Sequence, residues 1–140
     1  MTLMPGPDLT RRVIGCAIDV HRALGPGLLE GVYETCLCEE LVASGLAFAR
    51  QRSVPVTYKG RMLGHTYRMD IVVADILVLE IKAGYQVLPI HEAQLRTYLR
   101  LSGLCLGLVM NFNTVRIRDG IRRVIGPDAP WDETPALTEA

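Results

Sequence analysis

Residues 70–82 read DIVVADILVLEIK, and the fold turns on them. Two apolar runs meet at a short turn near Ala74 and Asp75. Runs so rich in Val, Ile and Leu belong inside a sheet. Yet the stretch carries Asp70, Glu80 and Lys82, charges that are costly to bury unless paired or bound to a metal. Side chains alternate along a strand, so Glu80 and Lys82 share a face, roughly 6.6 Å apart, while Ile81 turns into apolar packing. If the two runs pair as a hairpin, Asp70 falls near Glu80. Two carboxylates and an amine then converge at one sheet edge, the layout of a hard-cation site with a cationic helper. A structural ion pair is the plainer account. Charges at the end of so apolar a strand favour the site.

The chain around this hairpin is one domain. Its 140 residues suffice for a core, and nearly half of them are hydrophobic. Charges interrupt every apolar run before it reaches membrane-spanning length, and the first twelve residues lack the pattern of a signal peptide. A cytoplasmic protein without a membrane partner is expected. Cys16, Cys36, Cys38 and Cys105 contain no CxxC pair and are read as reduced, small hydrophobes. The net charge is zero, which argues against indiscriminate nucleic-acid binding. Its distribution is uneven. Arg50, Arg52, Lys59, Arg61 and Arg68 form one acid-free stretch, and Arg96, Arg100, Arg116, Arg118, Arg122 and Arg123 face only Asp119 in another. Each is a solvated face or a groove that meets phosphates.

Apolar residues at helical spacing predict a helix to about Leu24, capped by Asp8 or Thr10 and ended by Gly25-Pro26-Gly27. A second helix is expected over 28–44, burying Leu29, Val32, Tyr33, Cys36, Leu37 and Leu41, with Gly45 as its C-cap. Glu30 lies three residues before Tyr33 and can lean toward the buried side, although acids also favour a helix start by themselves. Strands are expected over 54–58, 62–73 and 76–82, the first two joined by Lys59-Gly60-Arg61. A loop then leads to a third helix over 91–101, which places Gln94 and Tyr98 on one face. Extended segments follow at 104–111, 115–118 and 121–125. His21, His65 and His91 lack metal spacing, and His91 alone opens a helix near the site. Residues 126–140 read as an acidic, proline-containing tail, leaving 9–125 as the domain. The fold class is α+β: an antiparallel meander, then a crossover helix returning a parallel strand, in a mixed sheet flanked by helices.

At this point a resemblance becomes specific. GPGLLEGVYE carries Gly27, Glu30 and Tyr33 at the spacing that names the GxxExxY family. The likeness continues through YKG, YRMDIVV, LVLEIKA, HEAQLRTYL, NFN and DGIRRVI, over roughly residues 10–125. That family is similar to the PD-(D/E)XK nuclease superfamily, whose core is αβββαβ. The resemblance implies that Asp70 is the acid of the first half-motif and that Glu80 and Lys82 form the E-x-K half. It implies that Glu30 is the metal-site acid from the first core helix. Gln94 and Tyr98 match the Q-x-x-x-Y feature of RecB-like nucleases, beside the active site, with Tyr33 as further support. Met69 stands where the superfamily name has proline, a position that does not ligate metal. The implied function is a nuclease using Mg²⁺ (or Mn²⁺) held by Glu30, Asp70, Glu80 and the main-chain carbonyl of Ile81, with DNA or RNA as partner. The alternative is a non-catalytic nucleic-acid- or protein-binding module of the same fold. A homodimer or complex subunit is compatible with either.

Overall fold

The computed structural model describes residues 6–127. The expected tail therefore lies almost wholly outside the described residues. Helices α1 (Gly6–Leu24) and α2 (Glu30–Ala43) precede a hairpin of β1 (Phe48–Tyr58) and β2 (Arg61–Val73). Strand β3 (Leu77–Lys82), helix α3 (Pro89–Ser102), β4 (Leu106–Asn111), a 3-10 turn (Ile117–Gly120) and β5 (Ile121–Ile125) complete the order. The sheet runs β1-β2-β3-β4-β5, antiparallel except where β3 and β4 pair in parallel. That parallel step is the expected crossover through α3.

The central strands are buried on both faces because two layers cover them. Leu77, Leu79 and Ile81 of β3 join Leu106, Leu108 and Met110 of β4 against α1 and α2. Val78 and Val109 face the other way, onto Leu95, Tyr98 and Leu99 of α3. Each fully buried Leu or Ile contributes about 1.5–3 kcal/mol, so the middle of the sheet is the most strongly held part. The glycine at 120 is required: a Cβ there would collide with the Asn111 carbonyl oxygen.

Three expectations change. Helix α1 is already formed at Gly6, so Asp8 and Thr10 lie inside it rather than capping it, and the Thr10 hydroxyl is buried without a partner. Residues 115–118 are not a strand; Ile117 is buried by folding into the 3-10 turn. On α2, Leu29 is 79% and Val32 41% exposed, and the buried face is Tyr33, Glu34, Leu37, Cys38 and Leu41. Of the first turn of α2, Tyr33 alone enters the core.

Candidate active site

Strands β2 and β3 pair at Val73↔Leu77, Val72↔Val78 and Ile71↔Leu79, and there the ladder stops. The next pair would be Asp70 and Glu80. Instead, the Asp70 N–H donates to Glu80 Oε1 at 3.1 Å, and the Ile81 N–H donates to Asp70 Oδ2 at 2.8 Å. Two carboxylates replace two backbone carbonyls as acceptors, and the sheet forks. The fork satisfies backbone groups that would otherwise be orphaned while drawing two carboxyl groups together.

Gln51 on β1 sits opposite Asp70, between the pairs Arg50↔Ile71 and Arg52↔Met69. Its φ is +51°, a left-handed conformation that is uncommon outside glycine and that clusters at functional sites. Its amide donates to Asp70 Oδ1 at 3.4 Å and to Glu34 Oε2 at 3.0 Å. Glu34 is buried, and Arg50 Nε pairs with it at 3.1 Å. Gln51 thus ties a third carboxylate, from α2, to the fork. Neither Gln51 nor Glu34 was singled out by spacing. The available signal for Glu34 was its place one residue after Tyr33, inside the buried face; for Gln51 there was none.

Glu30 stands on the exposed first turn of α2. At 1.5 Å rise per residue it lies about 6 Å up the axis from Glu34. The charge of Glu34 pushes both Asp70 and Glu80 upward. Tyr33 is fully buried. Its hydroxyl donates to Gly25 O at 2.6 Å and accepts from Leu28 N at 3.1 Å, closing the α1–α2 loop. Its ring stacks on Phe112 at 4.7 Å, and the Phe112 N–H bonds the Lys82 carbonyl. Asn111 and Asn113 both donate to Gly84 O, fixing the segment just after Lys82.

Burial pushes the Glu80 carboxyl up to about 8, reinforced by the nearby Asp70 charge. Burial also raises Asp70, against the Ile81 N–H that lowers it. Lys82, half-buried on the same strand, favours the charged form of both. Burial raises the Tyr98 hydroxyl, and Glu80, Tyr67 and Asp70 push the same way. Gln94, one turn earlier, is exposed beside it. His91 accepts the Leu88 N–H at Nδ1 and so caps α3.

Among the described residues no three His, Cys, Asp or Glu side chains form a ready-made cage. The donor chemistry still suits a hard divalent cation: carboxylates and a main-chain carbonyl, all oxygen. A cation would also relieve what the fork leaves unbalanced, a buried and a half-buried carboxyl that resist ionising side by side. Of the basic stretches, Arg50 and Arg52 are engaged by Glu34 and Asp75. Arg116 and Arg118 line a hollow of about 460 Å³ with His21 and Arg22, away from the carboxylates.

No helix among the described residues is long and apolar enough to cross a membrane. Comparison with curated proteins gives no match. Among solved structures, the chain is similar to the crystal structure of SSO0001, with a TM-score of 0.54 and 21% sequence identity. The match covers 69% of this chain and 50% of that one, so this chain spans half the length of SSO0001, and the likeness concerns the fold. The model of the PD-(D/E)XK nuclease superfamily matches residues 7–124, nearly the whole described chain. The forked pair Asp70 and Glu80, with Lys82 on the same strand, lies within that match, and the chain belongs to the PD-(D/E)XK nuclease superfamily.

Proposed function

We propose that this protein is a metal-dependent nuclease that hydrolyses phosphodiester bonds in DNA or RNA, of the GxxExxY kind and near the RecB-like branch. The observation that carries the proposal is the fork, where buried Glu80 and half-buried Asp70 each accept an N–H from the other's strand, with the Lys82 ammonium on the same strand as Glu80. Asp70, Glu80 and the Ile81 carbonyl would hold Mg²⁺ or Mn²⁺. Glu34, rather than Glu30, would be the helix acid that completes or steadies the set. A cation bound there supplies Lewis acidity at the scissile phosphate. Lys82 orients the attacking water and offsets charge that builds on the phosphate oxygens. Gln51 keeps Asp70 and Glu34 in register, and Tyr33 with Phe112 fixes the strand end that presents Lys82.

The test is cleavage of labelled DNA and RNA with Mg²⁺ or Mn²⁺, beside EDTA, Lys82→Ala and Asp70→Asn. Metal-dependent cleavage lost in both variants establishes the nuclease and its sugar preference together. Absence of cleavage and of calorimetric Mg²⁺ or Mn²⁺ binding by the folded protein overturns it in favour of the non-catalytic binding module.

A further inference from the structure

The β1–β2 hairpin is longer than the sheet that holds it. Only Ile71, Val72 and Val73 of β2 pair with β3, so the part of the hairpin beyond Asp70 is a two-stranded ribbon. Residues 53–68 contain Lys59, Arg61 and Arg68 and no acid, and none of these three forms an ion pair among the described residues. The ribbon therefore offers a positive surface to a negative ligand.

Where the ribbon leaves the sheet it borders a cleft. Tyr67 lies two residues before Met69 and so shares its face, and Met69 packs in the α3-side cluster. Tyr67 is 51% exposed, and its ring centroid stands 5.8 Å from that of Tyr98, tilted by 34°. Ile90, Ala93, Gln94 and Thr97 of α3 complete the lining of a hollow of about 230 Å³. That is smaller than the ~300–1,000 Å³ of drug-sized ligand sites. A planar ring suits it better than a whole cofactor. Glu80 alternates with Val78 on the face that α3 covers, so the cleft and the carboxylates lie on the same side of the sheet. Aromatic platforms beside a basic track are how proteins hold single strands, because every base has a face to stack and every phosphate a charge to meet.

We infer that the Tyr67–Tyr98 cleft receives one unpaired nucleobase, stacked on Tyr67 with Gln94 at its polar edge, while the ribbon follows the adjoining phosphates toward Asp70 and Glu80. The substrate class is single-stranded nucleic acid, or a strand end frayed from a duplex. A paired base inside a duplex keeps its stacking neighbours and does not enter. This inference rests on the nuclease reading for what happens next, but the binding itself does not require cleavage.

The experiment is fluorescence anisotropy of end-labelled oligonucleotides in EDTA, with the full chain. DNA and RNA single strands of one sequence, and the matching duplexes, form the arms. Single strands of one or both sugars are expected to bind more tightly than duplex, and the sugar preferred identifies the natural strand. Tyr67→Ala weakens single-strand binding by about 5- to 150-fold, the range of one base–aromatic stack, and Tyr67→Phe restores it. A single abasic position costs the wild type a similar factor and costs Tyr67→Ala nothing further. Equal binding of duplex and single strand, or no effect of Tyr67→Ala, overturns the inference. Tyr67-dependent binding without metal-dependent cleavage sinks the nuclease reading and leaves the cleft standing. Cleavage indifferent to Tyr67 does the reverse.

Discussion

Glu30 and Glu34 lie one helical turn apart, and only the second is enclosed. Enclosure separates them physically, because a carboxylate in water acts weakly on its neighbours, whereas Glu34 is linked through Gln51 to Asp70. Glu34→Gln should lower metal-dependent cleavage about 10- to 100-fold, the usual cost of disturbing the partners of a metal site. Glu30→Gln should leave it nearly unchanged; a side-by-side Mg²⁺ titration of initial rates checks both. Glu80 makes a second prediction at this scale. Folded protein keeps its proton up to about pH 8, whereas the unfolded chain releases it near 4.5. Across that window the folded state binds more protons, so the contribution to stability is full below pH 4.5 and is lost as pH rises toward 8. The raised Asp70 adds to the same slope. At ~1.4 kcal/mol per unit, the loss is on the order of a few kcal/mol for the metal-free protein. Urea midpoints at pH 5 and pH 8 should show the fall, and excess Mg²⁺ should flatten it.

The elements explain what the amino-acid sequence disclosed and what it withheld. The β2–β3 hairpin was legible because its two apolar runs and intervening turn are local. The turn is of the primed kind, with Ala74 at φ +55° and Asp75 at φ +56° and the Ile76 N–H bonded to Val73 O. A side chain at positive φ is costly, so Ala74→Gly should raise stability by roughly 1 kcal/mol, read as a higher urea midpoint with unchanged slope. The parallel return of β4 was legible from the order of strand, helix, strand. The face of α2 was not. Hydropathy put Leu29 and Val32 inward, but the face that meets the core is set by Tyr33, Glu34, Leu37, Cys38 and Leu41, and hydropathy does not report which face of a helix its neighbours cover. Glu34 was missed for the same reason. The left-handed Gln51 was beyond reach because the backbone there is set by the strand opposite rather than by neighbours in sequence.

Across the molecule, order should follow pairing. Strands β3 and β4 have partners on both edges and cover on both faces, while the outer ribbon has one partner per strand and, beyond Val54, is largely exposed. Hydrogen exchange should therefore protect Leu77–Lys82 and Leu106–Asn111 most strongly and leave residues 55–66 exchanging faster. Uniform protection along β1 and β2 would contradict this division. The fork has a consequence for descent as well. Asp70 accepts the Ile81 N–H, and Glu80 accepts the Asp70 N–H, so these side chains close the sheet as well as carry charge. A descendant lineage released from catalysis would still need acceptors at both places. Its inherited changes would favour Asn and Gln over small apolar residues, so that a retired enzyme of this fold would keep the outline of its former chemistry in uncharged form.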